Sequence, residues 1–297
     1  EFTPNGPRHY NTSVYTDKIE RLSDVLSKIG IEDSPDGLSI FGSAEIENES
    51  VLYDLVNSPK LKARNYKIVH YDSPDERGVD VALMYNPKYF TVTGSKPLNV
   101  PLKMEDGKAR KTRDVLWVWG NYMGEPLHVF VNHWPSRRGG EEASAPGRAI
   151  AAGVCKKVID SLMAINPETK CIVMGDLNDD PISPSVAKVL NAKQKPEQVK
   201  PGGMFNPWID FYKQDIGTLA YNDAWNLFDQ IIISYGFLSK QQDGVFYRTA
   251  RIFNRDFMVQ KTGRFKGYPL RTWDGNIYNQ GYSDHFPTYL EFLKEVK

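Results

Sequence analysis

The sequence predicts a mixed α/β fold, in which sheets holding both parallel and antiparallel strands are covered by helices. Three observations point there. Apolar runs of strand length alternate along the chain with only three or four segments of helical periodicity. Two of those runs, VLWVWGN and PLHVFVNHW, flank Met123-Gly124 and read as a hairpin, which excludes a purely parallel sheet. No repeat of about 20 to 50 residues occurs, and no shift in composition marks a linker, so residues 1–297 are expected to form one domain.

The elements follow in order. A polar stretch, EFTPNGPRHYN, leads into TDKIERLSDVLSKIG, where Ile19, Leu22, Val25, Leu26 and Ile29 keep the spacing of an amphipathic helix and Gly30 stops it. LSIFGSAEIEN is a short apolar strand ending in acids. A second helical pattern runs from about Glu49 to Asn57, and YKIVHY then alternates as a strand does. The turn SPDERG precedes a strand from Val79 to Tyr85. A Lys-rich interval and the hairpin come next, followed by a helix from about Gly147 to Ile165 with Ile150, Val154, Val158 and Leu162 on one face. CIVMGD follows directly as a strand. FDQIIIS, an aromatic and basic stretch, and PTYLEFL after SDH complete the chain.

Composition removes several functions. With 37 Lys+Arg against 37 Asp+Glu the formal charge is zero, which excludes a whole-protein electrostatic grip on nucleic acid or anionic lipid. Hydrophobic residues make up 40% and charged residues 25%, the balance of a folded chain. Cys155 and Cys171 form neither a disulfide framework nor a metal cluster. No apolar run approaches the ~18 residues of a membrane span. The chain begins at Glu1 without a signal pattern; removal of the natural N-terminus is the preferred reading, compatible with a periplasmic or secreted protein.

The chemistry-bearing residues gather at four strand boundaries: Ala44-Glu45, Asn132-His133-Trp134, Gly175-Asp176-Leu177-Asn178 and Ser283-Asp284-His285. Ligand sites collect at strand ends in α/β folds, because the loops there are rebuilt without harm to the core. Oxygen donors in this number suit Mg²⁺ or Mn²⁺, and the lack of a His/Cys cluster argues against zinc.

GDLN and SDH together, in this order and over nearly the whole chain, resemble the endonuclease/exonuclease/phosphatase superfamily of metal-dependent phosphoesterases. SPDERGVDVALMY, NHWPSRRGG and FDQIIIS are closest to its bacterial members. The resemblance implies a four-layered sandwich, with two mixed sheets face to face and helices outside. It also implies that Glu45 and Asp284 hold the metal, that Asp176 and Asn178 hold and activate the attacking water, and that His285, oriented by Asp229, sits on the phosphate. His133 would face the reacting centre too. The superfamily's first strand, which carries an Asn that helps hold the metal, has no counterpart before EFTPNGPRHY.

The residues fit that chemistry. A phosphodiester is anionic, so charge building on its oxygens needs a cation; a carboxylate takes a proton from water; and an imidazole backed by Asp is held in one tautomer. Each residue also has a plainer reading. Glu45 beside Glu47 fits a solvated strand end, Asp176 an Asx turn, His133 a bonded core histidine, and Asp229 a partner for Arg251 or Arg255. Asp80 either backs His133 or faces solvent.

Two basic segments are candidates for reading the substrate. The loop PSRRGGEEASAPGR offers Arg137, Arg138 and Arg148, whose guanidinium forks match phosphate oxygens. From Tyr247 to Arg271, Arg248, Arg251, Arg255, Lys261, Arg264, Lys266 and Arg271 interleave with Phe253, Phe257, Phe265 and Tyr268. That strip fits a polynucleotide backbone, and equally a hairpin with solvated cations outside and rings inside. The expected activity is metal-dependent hydrolysis of phosphate esters by a monomer, with DNA or RNA as first-choice substrate. A phosphatase or phosphodiesterase on a small or lipid phosphate is the alternative, and a non-catalytic binding module of the same fold is the third.

Overall fold

The computed structural model describes residues 2–294 apart from Glu105, Asn222 and residues 239–243. Its main elements are α1 (Thr12–Lys28), β1 (Ile40–Ile46), α2 (Glu49–Val56), β2 (Lys67–His70), β3 (Asp80–Tyr85), β4 (Phe90–Leu98), β5 (Val115–Tyr122), β6 (Glu125–His133), α3 (Glu141–Ile165), β7 (Lys170–Asp176), β8 (Ala192–Lys193), β9 (Met204–Phe205), β10 (Asp229–Ser234), β11 (Val245–Ile252) and β12 (Thr288–Lys294). They form a seven-stranded mixed sheet in the order β8-β9-β10-β7-β6-β5-β4, a three-stranded antiparallel sheet β1-β3-β2, and the ribbon β11-β12. Within the large sheet β6 runs parallel to β7, and β7 antiparallel to β10.

Four layers result from residue alternation. On β3, Val81 and Leu83 join β6 residues Leu127, Val129 and Val131 in the core between the sheets, while Ala82 and Met84 pack outward against α1 and α2. On β10, Ile231 and Ile233 face inward and Ile232 faces α3, whose Ala151, Ala152, Cys155, Ile159 and Met163 cover the outer side of the large sheet. Strands buried on both faces read as unbroken apolar runs, and that is why FDQIIIS and CIVMGD carry no polar alternation. Both cysteines are free and buried between α3 and the large sheet, Cys155 on α3 and Cys171 on β7.

The local signals act as read. Tyr122 pairs with Glu125, and the turn residues Met123 and Gly124 both take positive φ, 51° and 92°, the two-residue geometry that matches strand twist. Helix α1 starts at Thr12, earlier than the apolar spacing requires, because the Asn11 side chain caps it by accepting the Val14 N–H at 3.1 Å.

Helix α3 begins at Glu141, six residues before its apolar periodicity, and carries Pro146 in its second turn. Two contacts stabilise that start: Ser144 Oγ donates to Gly140 O at 2.6 Å, and Arg148 Nη2 donates to Glu141 O at 2.9 Å. The loop expected from Pro135 to Arg148 is therefore half helix.

Among the described residues no strand precedes α1, and the outer edges of β1 and β12 are unpaired. Both edges border one open groove of about 520 Å³, lined by apolar side chains such as Ile29, Val129, Met174 and Leu290 together with Asp176 and Asp229.

Candidate active site

Register brings three of the expected residues together. His133 pairs with Asp176 across the parallel strands β6 and β7, and Asp229 pairs with Asp176 across β7 and β10, so one row crosses the sheet end. Gly175 makes that closeness possible: a Cβ there would lie 2.0 Å from Asn132 O, at φ +129°. Beyond it Asn178 takes φ +49°, its N–H donates to Asp176 Oδ1 at 2.8 Å, and its Nδ2 donates to Trp134 O at 2.9 Å. The turn is thus tied to the end of β6.

Glu45 reaches the same place by a bulge. Ala44 pairs with Val81 and Ile46 with Asp80, leaving Glu45 unpaired at φ +60° with its side chain 62% exposed. A bulge of this kind re-aims one side chain at the rim of a sheet. The SDH loop closes the opposite side: Phe286 N donates to Thr218 O at 2.8 Å, and His285 Nδ1 lies 2.8 Å from Asp229 Oδ2, which also accepts from Thr218 Oγ1 at 2.6 Å. Asp284 is exposed beside it.

The two imidazoles are held in opposite charge states. Burial works against a charged His285, yet Asp229, Asp176 and Asp284 outweigh it and hold its pKa up at about 10. Burial, together with the charges of Arg113, Arg77 and His285, pushes His133 well below the ordinary histidine value. His133 Nε2 stands 3.6 Å from Asp176 Oδ2, and its buried Nδ1 has no hydrogen-bond partner. Burial also raises Asp176 to about 6; His285 pulls it back, while Asp229 and Glu45 push it further up. The four carboxylates therefore share one field, and His285 alone does not cancel their charge.

Several expectations need correction. Arg148 is no substrate contact: it is fully buried, with Nε 2.6 Å from Asp179 Oδ1 and Nη1 donating to Ser144 Oγ at 2.7 Å. Arg137 is a brace, donating to Asn178 O at 3.0 Å and Asp180 Oδ2 at 2.9 Å over the Phe228 ring. Arg138 is exposed on the loop. Asp80 neither backs His133 nor faces water; it is buried with His70 Nε2 at 3.0 Å and accepts Ser73 N–H at 2.8 Å. Among the described residues, His70, Asp72 and Asp80 are the His and acidic side chains whose ligand atoms lie close enough together to share an ion.

Three arginines of the basic strip are paired at 3.0 Å or less, Arg248 with Asp33, Arg251 with Glu291 and Arg255 with Glu32, while Lys261 and Arg264 only approach Asp256 and Asp223, at 3.5 and 3.6 Å, through exposed side chains. Phe253 is core, and Phe257 packs against it.

Four residues that sequence reading passed over border the site. Thr218 fixes Asp229. Lys18 of α1 donates to Thr272 Oγ1 and to Tyr282 O, and burial lowers it to about 8 against the pull of Asp284, Asp17 and Glu45. Arg113 is buried, donates to His133 O at 3.1 Å and Trp134 O at 2.6 Å, and pairs with Asp75 at 3.1 Å. Only Asp75 left a signal, in the motif SPDERG; Lys18, Arg113 and Thr218 stand in otherwise ordinary helix and loop sequence.

The donor set fits a hard divalent cation. Glu45 and Asp284 are exposed carboxylates at the mouth of a site with an excess of negative charge, and no thiol is near. Such a cluster at the central strand ends of a four-layered sandwich is what hydrolysis of a phosphate ester requires. A family model described as the Endonuclease/Exonuclease/phosphatase family matches residues 1–294, and the chain belongs to that family.

Solved structures agree in fold. D. rerio TDP2 complexed with a single-strand DNA product has a TM-score of 0.59 at 15% identity, covering 96% of this chain and 94% of that one. A mannosyl-6-phosphatase of Bacteroides thetaiotaomicron gives 0.56 at 15% identity over 95% and 94%. An endonuclease/exonuclease/phosphatase of Bacteroides vulgatus gives 0.55 at 15% over 95% and 92%. None of the curated proteins compared with the chain matches it.

Proposed function

We propose that the protein hydrolyses phosphate esters with a divalent cation, Mg²⁺ or Mn²⁺, and without a covalent enzyme intermediate. The observation that carries this reading is the row His133-Asp176-Asp229, joined by His285 in the opposite charge state to His133. Asp176 takes the proton from the attacking water. A raised pKa brings the carboxylate close to the operating pH and makes it a better base. His285, cationic and held through Nδ1 by Asp229, presents Nε2–H to the phosphoryl oxygens. His133, neutral and packed under the site, accepts or donates one hydrogen bond without adding charge. Asn178 keeps the Asp176 turn in register. A divalent cation held by Glu45 and Asp284 would neutralise charge building on the phosphoryl and leaving oxygens.

A compact ester is the favoured substrate. The nuclease reading of the sequence rests on cations between Tyr247 and Arg271, and three of these, Arg248, Arg251 and Arg255, are paired with acids at 3.0 Å or less. A surface whose charges are matched internally offers a polynucleotide backbone little counterion release.

The test is incubation with plasmid, with bis-p-nitrophenyl phosphate and with sugar and inositol monophosphates, each in Mg²⁺, Mn²⁺ or EDTA. EDTA-sensitive turnover of a compact ester, with plasmid intact, is the expected result. Plasmid nicking would return the nuclease to first place, and no turnover of any ester would favour the binding module.

A further inference from the structure

A single chain of contacts links the cation-holding side of the site to the imidazole side, and it passes through a guanidinium with no other task. Arg77 Nη1 lies 3.5 Å from Glu45 Oε1, and Arg77 Nε lies 3.5 Å from Asp75 Oδ1. Asp75 Oδ1 also accepts the Arg77 backbone N–H at 3.0 Å, and Asp75 Oδ2 meets Arg113 Nη1 at 3.1 Å. Arg113 in turn donates to the carbonyl of His133. Asp75 and Arg113 are buried, at 6% and 7% side-chain exposure, whereas the Arg77 side chain is 56% exposed. A rigid base thus carries a solvent-exposed head of fixed positive charge.

We propose that Arg77 grips the phosphoryl group of the substrate, with Asp75 as the positioning residue that aims it from the floor of the site. Exposure separates Arg77 from Arg137 and Arg148, which spend their forks on Asp179, Asp180 and the Asn178 and Glu141 carbonyls, while Arg77 meets exposed Glu45 and buried Asp75 only at 3.5 Å. Exposed pairs at that distance are worth little in stability, so the fork is released to a better partner at small cost. Two phosphoryl oxygens are such a partner, because the planar guanidinium bonds both at once. Its position beside Glu45, and near enough to His133 to help keep that ring neutral, puts the fork between the two sides of the site.

This inference rests on the phosphate-ester reading, and phosphate binding tests it apart from turnover. Inorganic phosphate is titrated calorimetrically into the full chain in Mg²⁺, for wild type, Arg77→Ala, Arg77→Lys and Asp75→Asn. Arg77→Ala is expected to weaken phosphate by about tenfold or more and to lower kcat/KM on the ester by about 10²-fold, with an unchanged melting temperature. Arg77→Lys recovers part of the affinity, since it keeps the charge and loses the fork. Asp75→Asn shifts both readouts in the same direction and melts earlier, because Arg113 loses its partner.

Phosphate affinity of Arg77→Ala within about threefold of wild type overturns the assignment, since a lost charged contact at a phosphate costs more than that. If wild type turns over esters while that variant is unaffected, only this assignment fails. If wild type neither binds phosphate nor turns over any ester, both fail.

Discussion

Asp176 shows how a carboxylate with a raised pKa is made at the expense of the fold. Its pKa in the folded chain, about 6, lies above the ordinary value of ~3.9, so the folded state holds this proton more tightly than the unfolded chain does. Ionisation therefore removes stability as pH rises from about 4 through 6, and the loss is complete at neutral pH. Asp176→Asn keeps the acceptor for the Asn178 N–H and removes the buried charge. It is expected to raise stability at pH 7 in EDTA by an order of 1–3 kcal/mol and to lower turnover by at least ~10²-fold. A variant that melts below wild type in that buffer would contradict the strain assigned here. His285 has the opposite sign. Its folded pKa, about 10, exceeds the unfolded value, so its stabilisation is fully present below about pH 6.5 and is lost as pH climbs through 10. Asp229→Asn removes its hydrogen-bonded counter-charge, and the alkaline limb of kcat/KM should move down toward neutrality in a pH–rate profile.

The elements place these residues through two backbone devices. The first is the close approach of β6 and β7 at Gly175. Gly175→Ala puts a methyl 2.0 Å from Asn132 O at a φ that L residues avoid, so it should cost about 3 kcal/mol or more, seen as a fall in melting temperature together with lost turnover. Wild-type melting would mean that the strands part easily there, and that the His133-Asp176 row is not fixed by Gly175. The second device is the bulge at Glu45, which converts the alternation of β1 into a side chain aimed at the rim. Helix α3 acts from below: Arg148 and Asp179 form a buried pair that anchors the loop after Asp176 to the helix. Loop residues from Leu177 to Asp180 are consequently built into the scaffold, with Leu227 N–H on Asp180 and Gln230 Nε2 on the Asp179 carbonyl.

At the scale of the whole molecule the zero formal charge is also a local balance. The ribbon β11-β12 meets the turn after α1 through Arg248-Asp33 and Arg255-Glu32, pairs more than 200 residues apart in sequence. With its cations matched in this way, kcat/KM on a compact ester should change less than about threefold between 50 and 200 mM salt, far below the slope of a protein that releases many counterions. A steep loss of rate over that range would point to an extended anionic substrate. Divalent cation should raise the melting temperature with concentration, since binding to the folded chain alone adds RT ln(1 + [L]/Kd). Glu45→Gln should flatten that rise, and an equal rise in this variant would move the ion elsewhere, such as to His70, Asp72 and Asp80, whose ligand atoms lie close enough together to share one.

The sequence by itself determined what is local. The periodicity of α1, the two-residue hairpin at Met123-Gly124, the doubly buried run Ile231-Ile232-Ile233 and the motifs GDLN and SDH all depend on residues within a few positions of one another. Spacing of that kind selects a helix face, a turn type or a strand end whatever lies beyond it. Tertiary structure alone decided which charges are free. Arg148 and Arg138 look alike in PSRRGGEEASAPGR, yet one is buried on Asp179 and the other stands in water, because Pro146 proved compatible with a helix that begins at Glu141. Arg77 and Arg248 differ too, one held only at 3.5 Å from Glu45 and Asp75 and the other paired at 2.9 Å with Asp33 across the fold. The value of a charge is set by its distance to other charges and by the water left around it, and packing fixes both.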